Sequence, residues 1–211
     1  MKTAILFSGG KDSALTTLLL EPFFDHIELI TFTFGQDESW KVAALAAKQL
    51  GHFHRKFFFD KTVLDSALEI LLSTGYPNDA LNYVHSVAVE TMASEFEFVA
   101  DGTRRDDRAP RMSQEAVRSI EDNLQMHYLR PLAGLDGKTI QAMASRYLDF
   151  EEELSEKYPA SDFEVGLRYA LINRHGQKEV DRIFPRNHTH TRVVRRKKFV
   201  QEIERKKDQA C

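Results

Sequence analysis

The sequence predicts an α/β protein: a parallel five-stranded sheet flanked by helices, with a helical C-terminal extension. Three observations predict it. Short apolar and aromatic runs alternate with segments of helical period as far as about residue 132. A glycine turn, Ser8-Gly9-Gly10, directly follows the first of these runs and opens the first helical segment. Beyond residue 133 the strand pattern gives way to helical segments and then to a basic stretch. The expected organisation is therefore an α/β domain over 1–132, a helical extension over 133–185 and a basic tail over 186–211.

The elements follow in order. Lys2–Phe7 reads as a short buried strand, and Ala14, Leu15, Leu18 and Leu19 mark the helix after it, stopped by Pro22. Glu28–Phe34 is rich in Ile, Thr and Phe and reads as the second strand. Trp40, Ala43, Ala44, Ala47 and Leu50 form a helical face closed by Gly51. Phe53–Phe59 is the third strand, its phenylalanines at 57–59 read as core. Asp60 caps a helix carrying Leu64, Ala67, Leu68 and Leu71. After the break at Gly75 and Pro77, Asn78 or Asp79 caps a helix running to about Ser94. Phe96–Ala100 is the fourth strand. A polar Arg/Asp loop then leads to a helix from Ser113, with Ala116, Val117, Ile120 and Leu124 expected inward, and Tyr128–Leu132 reads as the last strand. Helices are expected over 138–157 and 163–183. Strands alternating with helices imply right-handed parallel crossovers.

Composition bounds the function. Hydrophobic residues are 42% and charged residues 29% of the 211, which excludes a mainly disordered chain, a collagen and a coiled coil. No apolar run is long enough to span a bilayer, and Ser8-Gly9-Gly10 interrupts the only N-terminal apolar run, so no membrane partner and a cytoplasmic location are expected. Cys211 is the single cysteine, which excludes an internal disulfide and a Cys-rich zinc or cluster site. Net charge is −3, yet residues 186–207 carry nine Lys/Arg against two Glu. This asymmetry points either to an anionic partner or to a solvated helix end.

Ser8-Gly9-Gly10-Lys11-Asp12-Ser13 carries the chemistry. Glycines let backbone N–H groups turn inward, and a helix start favours a phosphate there. Ser8 and Ser13 add hydroxyls and Lys11 a positive charge. Asp12 fits if a magnesium ion bridges it to phosphates, or if it orients the loop. The loop is not a Walker A motif: position 5 is Ile5 rather than Gly, and Asp12 follows the lysine where Ser or Thr is needed. It also lacks the three spaced glycines of the dinucleotide fingerprint.

Ser8–Ser13 resembles the SGGxDS loop of the PP-loop ATP pyrophosphatases, the superfamily of NAD, GMP and argininosuccinate synthetases, tRNA lysidine and thiouridine synthases and diphthamide ligase. The resemblance covers roughly residues 1–132. A second patch agrees: Ala100-Asp101-Gly102-Thr103-Arg104-Arg105-Asp106-Asp107 matches a glycine after the fourth strand followed by polar residues and an Asp pair, with Thr103 standing where relatives often carry histidine. The chain also looks like archaeal stand-alone PP-loop proteins regarded as subunits of a tRNA thiouridylate-modifying enzyme. The resemblance implies cleavage of ATP between the α- and β-phosphates, release of pyrophosphate and adenylylation of a substrate. It implies that Ser8, Gly9, Gly10, Lys11, Asp12, Ser13 and Gly102 hold ATP, with backbone near Thr33 and Phe34 holding adenine and ribose. It implies catalytic roles for Lys11, Asp12, Asp101 and Asp107, and Mg²⁺ at Asp12 and Asp106.

Arg104, Arg105, Arg108 and Arg111 suit phosphate or carboxylate, local Arg–Asp pairing being the alternative. Arg130 is either a further anion contact or a strand-end charge. Arg195, Arg196, Lys197 and Lys198 belong to a density of charge like that of RNA-binding surfaces, with sparse aromatic interleaving. The pairs His52/His54 and His188/His190 have metal-ligand spacing but no evident third ligand. The leading reading is an ATP-dependent adenylylating enzyme acting on tRNA, with sulfide, ammonia or an amine as final nucleophile. Thiolation by persulfide would need Cys211 or a sulfur-donating protein; ammonia would arrive free or from a partner. The alternatives are a small-molecule amide ligase whose tail serves oligomer contacts, and a nucleotide-binding protein without turnover. A homodimer is compatible with each.

Overall fold

The computed structural model describes residues 1–154, 161–184 and 189–197. Its elements are β1 (Lys2–Leu6), α1 (Lys11–Leu20), β2 (His26–Thr33), α2 (Trp40–Leu50), β3 (Phe53–Phe58), α3 (Lys61–Thr74), α4 (Pro77–Ala93), β4 (Phe98–Ala100), α5 (Gln114–Leu124), β5 (His127–Leu129), α6 (Gly137–Tyr147), β6 (Leu148–Leu154), α7 (Phe163–His175), α8 (Gln177–Ile183) and β7 (Thr189–Arg196). The main sheet is parallel throughout, in the order β3-β2-β1-β4-β5.

Both faces of this sheet are covered, which is why its central strand is a nearly continuous apolar run. Along β1 and its extension the side chains alternate. Ile5 and Phe7 join a cluster with Ala14, Leu15, Ala43, Ala47 and Ile140 from α1, α2 and α6. Ala4 and Leu6 join the opposite cluster with Ile30, Phe32, Ala88 and Val117, from β2, α4 and α5. A third cluster packs α7 and α8 onto α3 and α4 through Leu64, Leu71, Val84, Leu167 and Val180. The chain builds β1, β2 and β3 to one side and then returns to place β4 on the other side of β1. The carboxyl ends of β1 and β4 therefore flank a reversal of strand order, where parallel sheets leave a crevice for ligands.

Several helix ends follow directly from sequence. Asp60, Ser113, Asp136 and Asp162 cap α3, α5, α6 and α7 through their side chains. Gly51 and Gly75 end α2 and α3 in the left-handed conformation. Others differ from the sequence reading. α4 starts at Pro77, with no side-chain cap from Asn78 or Asp79, because proline suits the first helical position. In α5 only Val117 of the expected inward set is buried; Leu124 is 42% exposed. Phe57 and Phe59 pack against Phe32, whereas Phe58 faces solvent at the end of an edge strand.

The largest difference lies in the extension. It contains α6, α7 and α8, but the helix expected over 138–157 ends at Tyr147 and the chain continues as β6. β6 pairs antiparallel with β7, setting Asp149 opposite Arg195 and Glu151 opposite Arg192, with Phe150 opposite Val193. Leu148 is buried and Phe150 partly so, while the acidic residues between and beyond them meet cations across the pair. Within 189–197, then, the basic segment is a paired strand packed against α2, not a free tail.

Candidate functional site

The turn after β1 is shaped by close contact on both sides. Gly9 has φ +81°, and a Cβ there would stand 2.9 Å from Ala43 Cα. Only glycine meets both conditions. Alanines at 43, 46 and 47, all fully buried, let α2 approach this closely. Gly10 precedes α1 without offering a side-chain cap, and the Lys11 N–H donates instead to Thr191 Oγ1 of β7 at 3.0 Å. The Val193 N–H donates to the Gly9 carbonyl at 3.0 Å. Ser8 and Ser13 hydroxyls lie 3.3 Å apart, and the Gly10 N–H donates to Ser8 Oγ. The next donors of the helix, the Asp12 and Ser13 N–H groups, have no carbonyl one turn back to receive them.

β4 brings its own carboxyl end against the same helix start. A Cβ on Gly102 would lie 2.8 Å from Ser13 N, so the Asp101–Gly102 peptide presses directly on the loop. Lys11 is buried, with Nζ 2.9 Å from Asp12 Oδ1. Arg104 binds Asp107 through its N–H and both Nε and Nη2, at 2.6–2.8 Å, and lies 3.6 Å from both Asp12 and Asp106. Burial disfavours the Arg104 charge, but Asp107, with Asp12 and Asp106, more than offsets this and raises its pKa. Asp106 also accepts from the Gly137 N–H, which is the main reason its pKa is lowered.

A buried polar node closes the inner end. His85 Nε2 of α4 lies 2.7 Å from Asp101 Oδ2 and 2.8 Å from the Tyr128 hydroxyl, which itself donates to Asp101. Thr103 donates to Asp101 Oδ1 from both N–H and hydroxyl, at 2.9 and 2.7 Å. Burial alone would raise the Asp101 pKa. The hydrogen bond and charge of His85, then Tyr128 and the Thr103 N–H, outweigh burial and hold it below the usual carboxylate value. Burial and the neighbouring Asp101 push the Tyr128 hydroxyl well above its ordinary value.

Two compartments open on either side of the loop, sharing Ser8, Asp12 and Asp162. One, of about 200 Å³, is walled by Phe7, Ile30, Phe32 and Phe163, with His85 and Asp101 at its polar edge. The other, of about 290 Å³, is polar and lined by Gly10, Lys11, Arg104, Glu152 and Thr191. The residues expected from sequence at Ser8–Ser13 and Asp101–Asp107 thus converge. Thr33 and Phe34 do not line either compartment. Thr33 Oγ1 accepts from the Gly35 N–H, and Phe34 stacks on Phe59 against Gly166 of α7. Ile30 and Phe32 of β2 line the apolar compartment.

The remaining candidates are dispersed. Arg105 pairs with Asp136, while Arg108 and Arg111 are exposed. Arg195 and Lys197 pair with Asp149, and Arg196 with Glu21. Lys198, His188 and Cys211 lie outside the described residues. His52 meets Glu21, His54 meets Thr31 and His190 meets Asp162, each within 3.3 Å. Among the described residues no group of three His, Cys, Asp or Glu side chains has metal-binding geometry. A magnesium ion that keeps its place largely through phosphates needs only one or two carboxylates. Asp12, on the loop and facing the polar compartment, fits that role; Asp106 is turned onto Arg104 and Gly137. Sequence reasoning missed His85 and Tyr128. The available signal was a histidine inside the apolar stripe Leu81, Val84, Ala88, Val89 of α4.

A family model, described as a family of unknown function (DUF7411), matches residues 1–195, from β1 through nearly all of β7. The chain belongs to this family. Membership therefore takes in the β6–β7 pair as well as the α/β unit. The uncharacterized protein MJ0690 of Methanocaldococcus jannaschii is 38% identical over 200 residues, covering 95% of this chain and 98% of its own. A solved structure from M. jannaschii, a predicted subunit of tRNA methyltransferase, is 37% identical with a TM-score of 0.84, covering 94% of this chain and 98% of that one. An NH3-dependent NAD synthetase from Campylobacter jejuni is 17% identical with a TM-score of 0.46, over 69% of this chain and 63% of that one. In this chain the five-stranded sheet is parallel throughout and the glycine turn stands directly between β1 and α1. Among the described residues no helix is long and apolar enough to cross a membrane.

Proposed function

We propose that this protein binds ATP across the two compartments and transfers its adenylyl group to an acceptor in tRNA, releasing pyrophosphate. The observation that carries this reading is the polar compartment at the start of α1. It joins a helix N-terminus, a buried lysine and two glycine-enforced turns at the strand-order reversal. These are the features a leaving pyrophosphate requires: donors and a cation fixed in place before charge develops.

In this reading Gly9, Gly10, Lys11, Ser8 and Ser13 receive the β- and γ-phosphates. Phe7, Ile30 and Phe32 give adenosine an apolar seat. The acceptor oxygen attacks the α-phosphorus in line as the bond to the bridging oxygen breaks, and the electron pair leaves with pyrophosphate. Lys11 neutralises that charge. Arg104 holds Asp12 and Asp107 in register, and Asp101, fixed by His85, Tyr128 and Thr103, keeps the β4 end rigid behind Ser13. A magnesium ion held by Asp12 would supply further charge neutralisation on the phosphates. A sulfur- or ammonia-donating protein, or free ammonia or an amine, then displaces AMP; thiolation of a uridine is one such outcome. The tRNA assignment draws on the name of the solved relative from M. jannaschii.

ATP–pyrophosphate exchange with and without tRNA tests the reading. Exchange that requires tRNA is expected. Formation of ADP and orthophosphate would overturn it, and exchange that requires a metabolite instead would identify a small-molecule ligase.

A further inference from the structure

We infer that the loop between β4 and α5 is the rim on which an RNA strand rests, with Arg108 and Arg111, and Arg130 beside them, holding the phosphates that flank the reacting nucleotide. This rests on the adenylyl-transfer reading and adds the place of the polymer.

The loop backbone is fixed, whereas two of its cations, Arg108 and Arg111, are not. Ala109 packs against the cluster of α3, α4 and α7, and Met112 is buried. Asn82 Oδ1 accepts from the Arg111 N–H at 2.6 Å, and Asn78 Nδ2 donates to the Arg108 carbonyl at 3.5 Å. Between these anchors Arg108 and Arg111 stand exposed, and neither forms an ion pair among the described residues. Arg130, half-buried, donates to the Met112 carbonyl at 3.3 Å next to Arg111 and stands over the Tyr128 ring, with no carboxylate partner among the described residues. Asp107 and Pro110 of the same loop line the apolar compartment. In this reading the rim cations stand beside the side of that compartment from which an acceptor would approach the α-phosphorus.

The described part of the basic C-terminal segment contrasts with this. Arg192, Arg195, Arg196 and Lys197 are matched by Glu151, Asp149, Glu21 and Asp149. A cation already held by a carboxylate gains little from a phosphate, whereas an unmatched one displaces the counterions of a nucleic acid. Separate guanidinium groups on an open rim suit successive phosphodiesters, each taken by a planar fork. A single small anion would be better served by an enclosed pocket. No exposed aromatic side chain accompanies them between residues 103 and 113, so contact is through the backbone of the RNA rather than its bases.

Fluorescence anisotropy of a labelled tRNA transcript across a salt series tests this. The full-length R108E/R111E protein should bind at least about tenfold more weakly than wild type, with a salt slope shallower by about two. R108Q/R111Q should fall between the two, and thermal melting shows which variants are folded. If charge reversal unfolds the protein, the glutamine pair decides. Unchanged RNA affinity in a folded variant, no RNA binding by wild type, or equal binding of polyglutamate, which would signal an acidic protein partner, overturns the inference. Titration of wild type with ATP is separate: rim-dependent RNA binding without ATP binding would sink the adenylyl-transfer reading alone.

Discussion

Thr191 accepts a hydrogen bond from the backbone N–H of Lys11, joining β7 to the first turn of α1 across 180 residues of chain. It acts as the cap that Gly10 cannot provide. Thr191→Val keeps the shape and removes the acceptor, so a loss of about 0.5–2 kcal/mol is expected, the cost of an absent helix cap. Differential scanning calorimetry would show this as a lower Tm, with faster amide exchange at Lys11.

Lys11→Ala removes the buried cation of the polar compartment. One donor aimed at developing charge is worth about 2.7–4 kcal/mol in such sites, so the proposed release of pyrophosphate should slow by a factor of about a hundred to a thousand. Full activity in this variant would remove Lys11 from the chemistry.

Gly9→Ala meets two obstacles, a positive φ and Ala43 Cα at 2.9 Å. Backbone strain of this kind costs about 1–3 kcal/mol, to which the clash adds. Chemical denaturation should show the loss. A variant as stable as wild type would mean that α2 yields at Ala43.

The polar node makes stability depend on pH at both ends. The folded pKa of Asp101 is depressed. Its contribution is present above the ordinary carboxylate value of about 3.9 and is lost as pH falls through the folded value. The folded pKa of Tyr128 is raised. Its contribution is full below the ordinary value of about 10 and is lost as pH climbs toward the folded one. Tyr128→Phe should remove the alkaline component and cost about 1.5–3 kcal/mol at neutral pH, the worth of a hydrogen bond to a charged group. Urea unfolding at a series of pH values separates the two effects.

The loop and its fold were legible because their causes are local. A buried strand, two glycines and a helical stripe occupy twenty consecutive residues, and the crossover rule does the rest. The β6–β7 pair was not legible, because Leu148–Leu154 carries acidic residues that also suit a helix surface. What makes it a strand is a set of partners some forty residues away, Arg192 and Arg195. The same long reach hid the fate of those arginines, whose charge reads as free in sequence and is matched in space. Truncation after Pro185 would therefore remove a strand that holds the loop, not only a source of positive charge. Thr33 and Phe34 were drawn to the site by their place at the end of β2. The Phe34 side chain turns instead to α7, where Gly166 admits its ring against the backbone. His85 needed β4 and β5 beside α4 before its role appeared.

That β7 lies over the turn after β1 also orders events during synthesis. Chains emerge from the ribosome N-terminus first, and early segments begin to fold before later ones exist. Here the first-made turn stays unfinished until residues 189–196 have been translated. Until then the Lys11 N–H and the Gly9 carbonyl lack their partners in Thr191 and Val193.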